Sequence, residues 1–157
     1  MALTLDTPDL CDGEFVGVWM FNVDPALAND LGDLQICLVS AGCEGTFDSP
    51  NVFVGANAHK ADGDGYFDIK IEFSDEDGDI THRFNAGDTA KFAISGIGSL
   101  TASSFDFISE PNGGPGEHFT AAHIQGIGND SGWICTPEPA FLAFLSVGVL
   151  AMLRGKR

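Results

Sequence analysis

Apolar residues along this chain recur at every second position, the period of a β-strand, and nowhere sustain a helical period. The clearest case is residues 65–73, where Phe67, Ile69, Ile71 and Phe73 alternate with Asp68, Lys70 and Glu72. A period of two puts the first set on one face and the second on the other, so this strand is half-buried. Further strands are predicted over 14–23, 34–39, 51–57, 90–96, 103–109 and 118–127. Between them lies turn chemistry: Asp62-Gly63-Asp64-Gly65, Asp77-Gly78, Asn85-Ala86-Gly87-Asp88 and the Pro- and Gly-rich run 111–116. Residues 25–34 have room for one short helical turn. Seven or more strands at this spacing predict an all-β body over residues 1–135, an antiparallel β-sandwich of jelly-roll type. No repeat and no second domain is visible.

The last 22 residues, 136–157, depart from this pattern. Pro137, Glu138 and Pro139 punctuate the chain, and Pro139 can open a helix because its absent N–H would be unpaired there. An apolar run from Ala140, Phe141 and Leu142 to Leu153 follows, closed by Arg154, Lys156 and Arg157. Fourteen helical residues at about 1.5 Å each fall short of the roughly 30 Å hydrocarbon layer. The flanking bases can snorkel to extend that span, and they set its cytoplasmic end. We read this run as a membrane helix.

Charge then narrows the choice of partner. Residues 1–135 carry four bases against 22 acids, a net −18 that repels nucleic-acid phosphate and anionic lipid head groups. Nucleic-acid binding is excluded on that ground. Intrinsic disorder is excluded by a 44% hydrophobic content that includes 13 Phe.

The order of motif, apolar helix and basic tail resembles the PEP-CTERM sorting signal of exopolysaccharide-producing Gram-negative bacteria. The matching residues are Pro137, Glu138 and Pro139, the helix 140–153, and Arg154, Lys156 and Arg157. The resemblance implies recognition by exosortase, a membrane protease-transpeptidase, transient anchoring in the inner membrane, and delivery to the envelope or extracellular matrix. Exopolysaccharide is the partner this implies there. Members of that family also carry an N-terminal secretory signal, whereas residues 1–6 have neither a basic region nor an apolar run. The expectation is a truncated chain or a start site placed too far downstream. Residues 119–128 and 131–134 also look like the end of small β-sandwich bodies in other PEP-CTERM proteins, for which no activity carries over.

Cysteine usage agrees with export. Cys11, Cys37, Cys43 and Cys135 form an even set without a C-x-x-C pair, which reads as two disulfides rather than a metal knuckle. Cys37 and Cys43 flank a turn-like segment and are expected to pair; Cys11 and Cys135 then pair by elimination.

Candidate chemistry is sparse. Asp62, Asp64 and Asp68 alternate on a glycine-bent loop, as hard Ca²⁺ favours, and Asp75, Asp77 and Asp79 resemble them, though neither set has EF-hand spacing. Calcium is the one cofactor candidate. Residues 119–123 and 129–132 mimic the His and Ser signatures of trypsin-like proteases, yet seven residues between His123 and Ser131 leave no room for two barrels. His59, His82 and His118 fit no metal-ligand spacing, and no carboxylate pair stands out for glycoside hydrolysis. Trp19, Trp133 and Tyr66 are the candidate sugar-stacking residues, with Trp19 assigned to the core by its strand. The expected function is a non-enzymatic, exported structural or adhesive protein; a carbohydrate-binding module is the alternative.

Overall fold

In the computed structural model, which describes residues 1–42, 47–75, 80–111 and 117–136, the chain folds into two antiparallel sheets. The strands are β1 (Ala2–Asp6), β2 (Phe15–Phe21), β3 (Gln35–Gly42), β4 (Asn51–Lys60), β5 (Tyr66–Glu72), β6 (Phe84–Asn85), β7 (Thr89–Ser95), β8 (Thr120–Ile127) and β9 (Asp130–Cys135). The smaller sheet runs β1-β7-β3; the larger runs β4-β5-β2-β8-β9, with β6 also paired to β2. The all-β, antiparallel expectation therefore holds in a sandwich-like arrangement.

Alternation explains where the core sits. Ile69 and Ile71 of β5 lie opposite Phe21 and Trp19 of β2, and these face Leu5, Phe92 and Ile94 of the smaller sheet. Phe47, Phe73 and Phe84 close one end, with Phe73 stacked on Phe84 at 4.5 Å and Phe47 edge-on to Phe84 at 5.0 Å. Each fully buried Phe or Ile contributes about 1.5–3 kcal/mol of burial free energy. A second, smaller cluster of Met20, Ala61, Phe67 and Ala121 lies apart from this core, with Val18, Trp133 and Cys135 packed against it.

Several expectations are corrected. Residues 103–109 are not a strand: a 3-10 turn spans Ala102–Phe105, entered through a reciprocal cap between Thr101 and Ser104. Side-chain hydroxyls there satisfy backbone amides that a sheet would otherwise pair. The start of the chain, by contrast, is strand β1, whose Leu3 and Leu5 turn toward the core. Residues 25–34 hold two 3-10 turns, Pro25–Leu27 and Leu31–Asp33.

The disulfide pairings also change. Cys11, Cys37 and Cys135 are free thiols. The turn expected after Cys37 is continuous strand, with Cys37 opposite Ala93 and Gly42 opposite Thr89, so the chain runs on without doubling back. Cys43 lies outside the described residues. Cys135 sits opposite Ala121 and level with Met20, while Cys11 turns into the other end of β2 beside Glu14. Some five residues of strand, about 16 Å, separate those levels, against the roughly 7 Å limit between bridged Cα atoms. Among the described residues no helix is long and apolar enough to cross a membrane. The expected membrane helix, its Pro-Glu-Pro motif and its basic tail fall outside the described residues, as do Asp77 and Asp79.

Candidate functional site

The chemistry-bearing side chains that converge are Asp64, His118 and Cys135, whose ligand atoms lie within 4.8 Å of one another. Each comes from a different element: the turn between β4 and β5, the approach to β8, and the last residue of β9. The turn is tight because Asp64 donates its amide to Ala61 at 2.7 Å, while Asp62 and Gly65 have positive φ, +42° and +111°. A side chain at Gly65 would meet Ser109 Cβ at 2.6 Å and the Glu110 carbonyl at 2.8 Å. Only glycine accommodates both the conformation and the contact.

Ser109 ties the parts together. Its hydroxyl, almost wholly buried, donates to the Asp64 carbonyl at 2.9 Å and accepts the His118 amide at 3.1 Å. Its own amide donates to the His118 carbonyl at 2.8 Å. One serine thus fixes the backbones that carry the carboxylate and the imidazole.

Within the cluster, His118 Nε2 faces Asp64 Oδ1 at 3.8 Å, beyond hydrogen-bond range, and His118 Nδ1 is buried without a partner. Burial, with the hydrogen bond to Asp64 and the charge of its carboxylate added, pushes the Cys135 thiol up to about 12. At neutral pH it is a protonated thiol and a poor nucleophile.

The calcium trio does not assemble. Asp68 spends both carboxylate oxygens on backbone amides, those of Asn57 at 2.7 Å and Val23 at 3.0 Å. Asp64 turns instead toward His118, so the alternate aspartates do not share a ligand position. No protein family, curated protein or solved structure matches this chain.

Other sites resolve as follows. His123 and Ser131 do meet, Nε2 to Oγ at 3.1 Å, because β8 and β9 form a hairpin. They stand on its exposed face, the imidazole tilted against Trp133 at 5.0 Å, and no carboxylate among the described residues hydrogen-bonds the ring. That pair lacks the third group an acyl-transfer site needs. Trp133 and Tyr66 are both half-buried, Trp133 against the Met20 cluster. Trp19 is half-buried against the main core, its Nε1 donating to Thr120 Oγ1 at 2.7 Å. It also lines an apolar groove of about 570 Å³ between the sheets with Leu3, Leu5, Phe21, Ile94 and Phe105. The Asp64–His118–Cys135 set was invisible to spacing, because strand register and a loop closure bring its members together. Only the glycine-bent turn announced its location.

Proposed function

We propose that this chain is an exported, non-enzymatic surface or extracellular-matrix protein, sorted by an exosortase through its C-terminal tail. One observation carries the reading: the sorting motif at Pro137, Glu138 and Pro139, the apolar run and the basic end occur in that order. The tail would hold the chain in the inner membrane until exosortase acts, after which the body would join the envelope or matrix. There its role is structural or adhesive, with exopolysaccharide as the partner. An antiparallel, all-β body at −18 suits an extracellular module. The carbohydrate-module alternative, calcium-dependent or not, needs an exposed aromatic pair or a calcium site on a concave face; Trp133 and Tyr66 are half-buried.

The test expresses the gene from its native locus, with and without exosortase, and weighs the chain intact in each fraction. The expected result is a body lacking the residues beyond the motif in envelope or medium, and a full-length membrane-bound chain when exosortase is absent. Substituting Pro137→Ala with Glu138→Ala should reproduce the second state. A full-length chain in the cytosol of both strains would overturn the proposal.

A further inference from the structure

We propose that Asp64, His118 and Cys135 form a binding site for a thiophilic divalent cation, Zn²⁺ by its chemistry, with Ser109 as the positioning residue. The donor set is one carboxylate oxygen, one imidazole nitrogen and one sulfur. Sulfur and imidazole together select zinc-like ions over Ca²⁺ or Mg²⁺, which take oxygen. Bond lengths of about 2.0–2.3 Å in a tetrahedron place ligand atoms some 3.3–3.6 Å apart. Asp64 Oδ1 and His118 Nε2 already lie 3.8 Å apart, and all three donors are within 4.8 Å. Closing onto an ion therefore needs movements of about an ångström or less, available to side chains alone.

His118 Nε2 is the nitrogen turned to the cluster: its nearest charged partner, Asp64 Oδ1, lies beyond hydrogen-bond range, so the lone pair is open to an ion. Nδ1, buried without a partner, is not the nitrogen that faces Asp64. Ser109 holds the two backbones at this spacing, its buried hydroxyl donating to the Asp64 carbonyl and accepting the His118 amide. On binding, Cys135 gives its proton to solvent and its sulfur to the metal. Three protein ligands leave one position for water.

The experiment uses the full chain, reduced, titrated with ZnCl₂ and separately with CoCl₂. Cobalt should give a thiolate charge-transfer band in the near ultraviolet and the visible bands of a four-coordinate ion. Cys135→Ser should abolish the charge-transfer band. Asp64→Asn and His118→Gln should each weaken zinc binding at least tenfold, and Ser109→Ala, which removes no ligand, about tenfold. X-ray absorption of the zinc-loaded wild-type chain needs no variant to fold: one sulfur at about 2.3 Å with nitrogen and oxygen at about 2.0–2.1 Å is expected. Absence of zinc binding, two or more sulfur ligands, or a band that survives Cys135→Ser would overturn the proposal.

Discussion

Asp68 accepts the backbone amide of Asn57 through Oδ1 at 2.7 Å, and this bond holds Asn57 at a φ of +50° where β4 departs from its regular pairing with β5. The other oxygen takes the amide of Val23, which is fully buried, and the Asp68 amide is itself received by Asn22 Oδ1 at 3.1 Å. An acidic residue in an acidic protein is here a piece of backbone scaffolding.

Replacing Asp68 by Ala should therefore destabilise the fold by about 3 kcal/mol, since two amides lose their acceptor. Asp68→Asn keeps one good acceptor oxygen and should cost about 1 kcal/mol. Urea unfolding of the three proteins checks the order. Equal midpoints for wild type and Asp68→Ala would remove the structural role.

Gly65→Ala tests the turn beneath the Asp64 cluster. The positive φ of Gly65 and the Glu110 carbonyl 2.8 Å from any added Cβ act together. A loss of about 2–3 kcal/mol is expected from strain and displacement combined. Gly98→Ala, where an added carbon meets nothing within 4 Å, is the control and should cost far less. Thermal unfolding of the pair decides the matter.

Thiol reactivity should separate the cysteines. Cys11 and Cys37 are exposed, whereas the Cys135 thiol is pushed up to about 12 by burial and by Asp64. At pH 8 a maleimide should label the first two quickly and Cys135 slowly, because the thiolate is the reacting form. Asp64→Asn should speed labelling of Cys135 by removing the adjacent negative charge. Peptide mapping after timed quenching gives all the rates; uniform labelling would contradict this environment.

Acid should act through two groups of opposite sign. Burial, with Lys70 beside it, lowers the pKa of His59 below its ordinary 6.5. The unfolded chain then binds the proton more readily, so His59 withdraws stability as pH falls below 6.5. Burial raises the pKa of Asp88 above 3.8, opposed by the amide of Asn85. Asp88 therefore lends stability on the acid side and loses it as pH rises from 3.8 through its folded value. Denaturation from pH 4 to 7 should show a shallower decline toward acid for His59→Phe, and a reduced acid-side gain for Asp88→Asn. Unchanged slopes in both variants would refute the assignment.

Legibility in the sequence followed the burial pattern. The β5 strand was plain because buried Ile69 and Ile71 alternate with half-buried Lys70 and Glu72, although Phe67 packs in the separate Met20 cluster and Asp68 is buried. The edge strands were not: Leu3 and Leu5 alternate over only five residues, and β9 mixes Ser131, Gly132 and Trp133. Residues 103–109 misled because Phe105 and Phe107 alternate like a strand while the hydroxyls of Thr101 and Ser104 cap a turn. Cysteine parity says nothing of register, so it could not reveal that Cys11 and Cys135 occupy opposite ends of β2 and β8. The Asp64 cluster depends on Ser109 closing a loop, a long-range event that no local pattern encodes.

Among the described residues β9 pairs with β8 alone, and its final rung is the Thr136 amide on the Thr120 carbonyl. Were the body tethered through its C-terminus, tension would enter the fold at that rung. A pull across β9 unzips the hairpin bond by bond, whereas a pull along it loads all the bonds at once. A cation shared by Cys135 with Asp64 and His118 would act as a rivet at the loaded end, making the anchor point the part of the strand that yields last.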